Sequence, residues 1–249
     1  AVVVHGDQPE GLDAIREEYE DRYRNADTGQ WLRSSGTVET VDFANAVGAL
    51  STRGWQATEF DGADDVGIDA VHDSARDREY EGTDPRGFRV DTDEGETVPR
   101  GATAMSLGAG LGIDEFDAVV ALGEVCNRLG VDLISAGSSV AWAIRAHEEG
   151  VLDRSLDFGD PEGARTLLRE IATRETGLGD ALADGVDAAG RRYGGEDLVP
   201  TVKAMELPAY DPRGAESMAL AYATSDRGAC HRRARPVERE VFDGRWSPE

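Results

Sequence analysis

A mainly α-helical fold is what the sequence predicts, and three observations predict it. After Pro99, apolar residues recur at spacings of three and four, and no period-two alternation competes with them. Most of these runs open on a capping residue or an Asp-Pro step and close on glycine. Hydrophobic residues make up 39% of the chain, enough to bury a core and to exclude a disordered polymer. Helices that each bury one stripe pack on one another, so the expected architecture is a helical bundle. Two regions are expected: 1–98, helical with a long acidic loop, and 99–249, a C-terminal helical domain. No internal repeat is visible.

Residues 1–4 form a short apolar run with the character of an edge strand. Pro9-Glu10 opens a helix running to about Arg24, with Leu12, Ile15 and Tyr19 on one face. A polar turn, 25–29, follows. Gly36-Thr37 leads a second helix carrying Val38, Val41, Phe43 and Val47, stopped by Gly48. The stretch after it reads as an extended crossing segment anchored by Leu50, Trp55 and Phe60. From Asp61 to Arg100 the apolar content falls, and the Asp-Pro, Glu-Gly and Pro-Arg-Gly steps predict a long surface loop with a short helix near Val66–His72.

In the C-terminal region Asp114 is placed to cap a helix with Phe116, Val119, Val120, Cys126 and Leu129 on one stripe, closed by Gly130. Ser138 or Ser139 starts the next, through Trp142 and Ile144. Asp160-Pro161-Glu162 starts a third, with Leu167, Leu168 and Ile171 inward. Asp180 starts a fourth, through Leu182, Val186 and Ala189 to Gly194-Gly195. A fifth lies behind Asp211-Pro212.

Charge narrows the function classes. Fifty Asp and Glu face 26 basic residues, a net charge of −24. A surface this negative repels nucleic acid and anionic membranes, so neither is an expected partner. The acids are dispersed, which reads as a solvated surface suited to high salt, a halophilic protein. Two cysteines are too few for a disulfide framework, and no signal peptide or membrane-length apolar run is present, so the expected location is cytoplasmic. The chain begins without Met and ends in a charged tail, as a piece of something longer would.

Two stretches carry the chemistry. In CNRLGVDLISAGSSVAW, one helix ends at Gly130 and a polar segment with Asp132 and Ser135 feeds the next. Free N–H groups beside hydroxyls there suit an anion or a polar heterocycle; ordinary capping is the other reading. The second is TVKAMELPAYDPRGAESMALAYATSDRGACHRRA, which holds the chain's one lysine, Lys203. A compact ammonium where the protein otherwise uses the planar arginine fork marks a specific contact or a chance survivor. Cys230 and His231 are adjacent and lack a CxxC or HxxxH partner, so they read as a helix-end pair and not as metal ligands. No P-loop, GxGxxG or GxSxG occurs. No residue is assigned to catalysis or to a metal.

These stretches, with GTVETVDFANAVGALSTRGW upstream, resemble the aldehyde ferredoxin oxidoreductase family over most of 36–234. The resemblance implies the family's C-terminal helical domains. It also implies a tungsten (or molybdenum) enzyme whose metal is held by two pterins, tungstopterin or molybdopterin, beside a [4Fe-4S] cluster. Such an enzyme oxidises aldehydes to carboxylic acids and passes electrons to ferredoxin. Its expected partners are therefore an aldehyde, ferredoxin, a separate N-terminal pterin-binding domain and a second copy of the chain. The family's pterin motif, D-x-x-G-L-(C/D), matches Asn127-Arg128-Leu129-Gly130-Val131-Asp132, and the family's lysine matches Lys203. The implied cofactor-binding residues are Asn127, Gly130, Val131, Asp132 and Lys203.

The departures are specific. Three of the family's cluster cysteines align with Glu81, Asp84-Pro85 and Phe88, none a thiolate. The family's PEYET aligns with Pro99–Thr103 and loses both acids. Its histidine two before the lysine is Thr201. A truncated or degenerate non-catalytic relative is the alternative these departures suggest.

Overall fold

The computed structural model describes residues 11–25, 36–81, 84–93, 95–234 and 236–242, and it is mainly helical. Helix α1 spans Leu12–Asn25, α2 Thr40–Ala46, α3 Ala63–Val66 and α4 Ile68–Ser74. A three-stranded antiparallel sheet follows, β1 (Asp77–Glu81), β2 (Asp84–Thr92) and β3 (Gly95–Thr97), in the order β1-β2-β3. A π-helical segment, Thr103–Gly108, leads to α5 (Phe116–Leu129), α6 (Leu133–Glu148), α7 (Pro161–Thr173), α8 (Gly177–Ala183) and α9 (Val186–Tyr193). The two-residue strands β4 (Thr201–Val202) and β5 (Met205–Glu206) precede α10 (Glu216–Thr224) and α11 (Val237–Phe242). No helix among the described residues is long and apolar enough to cross a membrane.

At the centre sits α6. Ten of its residues are buried, among them Val140, Trp142 and Ile144, so it is apolar around most of its circumference. Trp142 offsets the cost of burying its indole by donating Nε1–H to the Gly195 carbonyl at 2.8 Å. Around α6 one continuous core extends from Val41 to Val237. It includes Leu122 on α5, Leu167 and Leu168 on α7, Val186 on α9 and Met218 on α10.

Several expectations need correction. The stretch 61–100 holds the short helix expected near Val66–His72, as α4, but the rest is not a long loop: a second short helix and the sheet lie in it. Its strands escape a hydrophobic reading because cross-strand charges hold them. Arg89 meets Asp77 at 3.0 Å and Glu96 at 2.7 Å, while Arg76 pairs with Asp91 at 3.2 Å and with Glu96. The stripe Leu12, Ile15 and Tyr19 of α1 is exposed, not inward. Helix α5 takes Glu115, not Asp114, as its N-cap residue. Helix α6 begins at Leu133, with Asp132 as its N-cap, so Ser138 and Ser139 are buried mid-helix. The helix assigned to Asp180 is two, capped at Thr176 and broken between Ala183 and Val186. The Asp160-Pro161 start holds: Asp160 accepts from the backbone N–H of Glu162 and Gly163, and Leu167, Leu168 and Ile171 are buried. The edge strand at 1–4, the opening Pro9-Glu10 and most of the turn at 25–29 lie outside the described residues.

The Asp211-Pro212-Arg213-Gly214 turn locks the far ends of the chain together. Asp211 is completely buried; its carboxylate accepts from Arg213 Nη2 at 2.5 Å, Nε at 2.9 Å and backbone N at 2.9 Å. Arg213 Nη2 also donates to the Trp55 carbonyl at 3.0 Å. Replacing Asp211 with Ala is expected to cost about 3 kcal/mol, because a buried, multiply bonded charge pair is broken. Arg174→Ala, in an exposed pairing with Asp180 and Asp184, is expected to cost about 1 kcal/mol or less. Denaturant unfolding of the two variants measures the contrast.

Asp42 on α2 accepts from Ile68 N at 3.3 Å and so ties α2 to α4. Burial, opposed by that bond and reinforced by the Glu39 and Asp69 charges, raises its pKa to about 7. Below pH 4 both folded and unfolded chains hold the proton. As pH rises toward 7 the unfolded chain loses it first, so stability falls across that window. Asp42→Asn is expected to be neutral near pH 4 and stabilising by roughly 2–4 kcal/mol at pH 8, read from unfolding curves at both pH values.

Candidate functional site

A cleft of about 880 Å³ opens where three distant stretches of chain converge. Thr37 and Thr40 with Arg100–Ala102 form one part, Asp132–Ser135 at the start of α6 a second, and the segments 205–210 and 227–232 the third. The two stretches singled out in the sequence therefore meet at one site.

The Asn127–Asp132 segment is a helix-to-helix corner. Gly130, at φ 71°, ends α5 in the left-handed conformation, where a side chain would be strained. Its N–H bonds to the Asn127 carbonyl at 3.3 Å and that of Val131 to the Cys126 carbonyl at 2.9 Å, a Schellman closure. Val131 packs on the core. Asp132 then caps α6, its Oδ1 accepting from Ile134 N and Ser135 N at 3.0 Å each. So Asp132 both caps a helix and lines the cleft. Asn127 lies apart, donating to Thr97 Oγ1 at 3.3 Å beside a smaller cleft of about 340 Å³; Arg100 and Leu133 line both.

Lys203 does not line the main cleft. With Ala204 it forms the two-residue turn between β4 and β5, at φ 54° and 58°, an uncommon conformation for residues other than glycine. Its ammonium donates to the carbonyls of Ser225 (3.0 Å) and Asp226 (3.1 Å), just past the C-terminal end of α10. A compact three-donor group suits two adjacent carbonyls, and the bond fixes the segment that leads to Cys230. Thr201 pairs with Glu206 in the same hairpin.

Sequence reasoning passed over Glu206, Arg100, Arg227 and Arg232. Glu206 is 6% exposed and ties three elements: Oε1 accepts from Val186 N at 2.9 Å, and Oε2 from Ser135 Oγ at 2.9 Å. No local signal marks it, since its partners lie far away in sequence. The pair Cys230-His231, read as a helix end, lines the cleft. At Cys230 burial disfavours the thiolate, but the backbone N–H groups of Arg232 and Arg233 and the Arg227 guanidinium, 3.8 Å from Sγ, hold the thiol below its ordinary value. Cys126 is the opposite case: burial first, and the Asp132 charge second, push it up to about 12.

The family model described as aldehyde ferredoxin oxidoreductase, domains 2 and 3, matches residues 14–248. The chain belongs to the aldehyde ferredoxin oxidoreductase family. It is 39% identical over 156 residues to the tungsten-containing aldehyde ferredoxin oxidoreductase of Pyrococcus furiosus, covering 59% of this chain and 26% of the relative. It is 31% identical to the protein of the same name from Pyrococcus abyssi and 30% to that from Pyrococcus horikoshii. Each of those alignments covers 97% of this chain and 43% of the relative. The chain thus spans less than half the length of the curated relatives it matches.

Donor chemistry separates the two cofactors that the family resemblance implies. The cleft is large enough for a pterin, and its carboxylate, hydroxyl and guanidinium lining suits a polar heterocycle, so the residues fit that group. They do not fit a [4Fe-4S] cluster. Glu81 and Asp84 face one another across the β1–β2 hairpin, and the Phe88 ring packs edge-on to His72 at 4.6 Å beneath the Arg78 guanidinium. Such a cluster takes four thiolates, and the sequence has two cysteines, both buried and one of them, Cys126, hard to ionise. Among the described residues no group of three or more His, Cys, Asp or Glu could hold a metal ion.

Because Glu206 fastens β5 to α6 and α9 at the cleft, Glu206→Ala is expected to cost about 2–3 kcal/mol, leaving two donors without their acceptor. Glu206→Gln keeps an acceptor for Val186 and is expected to recover at least half of that loss. Chemical denaturation of both variants measures it.

Proposed function

We propose that this chain forms the helical part of a tungsten- (or molybdenum-) pterin enzyme that oxidises aldehydes to carboxylic acids, with ferredoxin as electron acceptor. The observation that carries the reading is the meeting of Asp132, at the end of the 127–132 corner, and the Lys203-braced C-terminal segment at one cleft, in a chain of this family. Each turnover takes an aldehyde and water to a carboxylic acid, two protons and two electrons. The tungsten–pterin group, when bound, supplies the two-electron acceptor.

The chain's own residues bind and orient. Asp132, already aligned by its two cap bonds, offers a carboxylate to ring N–H donors, with Ser135 beside it. Asn127, Gly130 and Val131 set the corner that holds Asp132. Lys203 acts at one remove by fixing 225–226. A pterin-bearing N-terminal portion completes the site, and a second copy of the chain is a further partner. No step is assigned to an iron–sulfur cluster held by this chain. The dispersed acidic surface suits work at high salt in a cytoplasmic enzyme.

Protein purified from its native host is expected to contain tungsten or molybdenum near one atom per chain and to reduce a viologen dye with aldehyde. Elemental analysis finding neither metal, together with no aldehyde-dependent dye reduction, would rule the reading out.

A further inference from the structure

The charges facing the main cleft are the reverse of those on the rest of the protein. In a chain with 50 acids against 26 bases, the cleft is lined by Arg100, Arg227 and Arg232 and by two acids, Asp132 and Glu206. Both acids are engaged: Asp132 by two backbone N–H groups, and Glu206 by Val186 N and Ser135 Oγ. Arg227 and Arg232 differ from most arginines elsewhere, though Arg53 and Arg145 likewise make no ion pair among the described residues. Arg16, Arg76, Arg89, Arg154, Arg174 and Arg213, among others, sit in ion pairs, as acids this abundant would favour. Neither Arg227 nor Arg232 makes an ion pair among the described residues; Arg227 instead approaches the Cys230 sulfur at 3.8 Å. Guanidinium groups unpaired in an acidic protein, on the wall of a cavity, present planar donors matched to carboxylate and phosphate oxygens.

We propose that Arg227 and Arg232, with Arg100, make the cleft an anion-recognition site that takes the carboxylate or phosphate group of an aldehyde substrate. The anion chemistry stands on the lining alone; its assignment to a substrate rests on the aldehyde-oxidising reading above. The same chemistry has a second source in a phosphate carried by the cofactor, and the test separates the two.

Both cysteines are buried, but Cys230 lines the cleft beside Arg227 and so reports on it, while Cys126, away from the cleft, serves as the control. Iodoacetamide labelling of the protein from its native host, read by peptide mass spectrometry, is compared with and without inorganic phosphate at constant ionic strength. Cofactor-loaded and cofactor-stripped protein are treated alike. Occupancy of a substrate site is expected to slow Cys230 labelling about fivefold in both forms. Arg227→Gln and Arg232→Gln are expected to abolish that protection and to raise KM for glyoxylate relative to acetaldehyde about tenfold. Arg191→Gln, on the exposed face of α9, serves as the surface control. Protection in the stripped form alone assigns the anion to the cofactor and overturns the substrate assignment. Protection in neither form overturns the site itself. If Cys230 resists labelling, calorimetric titration with phosphate decides: heat lost in the Arg227→Gln/Arg232→Gln double variant supports the site, and its absence in the parent protein overturns it. The labelling and the calorimetry need no turnover, so the anion site is tested even where aldehyde oxidation is not observed.

Discussion

The buried carboxylate of Asp211 is the constraint on which most of this architecture depends. A fully desolvated charge is tolerated only when geometry compensates for lost water, and here Arg213 supplies three donors within 2.9 Å. The same turn bonds outward: Asp211 N donates to the Ala49 carbonyl at 2.8 Å, and Ser51 N to the Ala209 carbonyl at 3.1 Å. Tyr222 of α10 reaches the carbonyls of Pro208 and Tyr210 at 3.2 Å. Gly214 is required by proximity, since a Cβ there would stand 2.0 Å from the Gly48 carbonyl oxygen. Segments some 160 residues apart are thereby fixed edge to edge, and the strip 205–210 enters the cleft with its backbone already spoken for.

From that anchor the cleft follows. Glu206, four residues before Tyr210, carries the constraint to the N-terminus of α9 and to Ser135 on α6. Asp132 fixes the first turn of α6 from the other side. Lys203 closes the chain by holding the carbonyls past α10, which sets where Arg227 and Cys230 emerge. Most of these contacts also satisfy a backbone donor or acceptor, buried at Val186, so the site and the fold draw on the same bonds.

What could be read from the sequence depended on range. Asp160-Pro161 and the Gly130 stop are local devices with local signals, and both stand where their chemistry places them. The loop assigned to 61–100 failed because its strands are rich in charged residues, paired across strands as in Arg89–Glu96, where a hydrophobic pattern looks for apolar alternation. Asp132 was legible as a polar group at a helix junction, but the serines after it pulled the predicted helix start, Ser138 or Ser139, past the observed start at Leu133. Glu206 and the arginines were invisible for another reason: their meaning lies in partners on other elements, or in having none, and neither is a property of a window of sequence.

Acidity also shapes the site. Where almost every surface is negative, a guanidinium stays unpaired only if the fold keeps carboxylates from reaching it. At this cleft the two acids of the lining are held by other donors, so the positive charge of Arg227 and Arg232 faces the cavity without an ion-pair partner among the described residues. At Cys230 burial is outweighed by the backbone N–H groups of Arg232 and Arg233 and then by the Arg227 charge, so its thiol is drawn below its ordinary value, while Cys126, 104 positions earlier on the buried face of α5, is pushed up to about 12. The two cysteines thus differ in chemistry because one meets backbone N–H donors and a guanidinium at the cleft and the other lies in the core. A local reversal of charge at the cleft where three distant segments converge is a feature that an acidic surface alone would erase, and its persistence here is what distinguishes a built site from a gap in the packing.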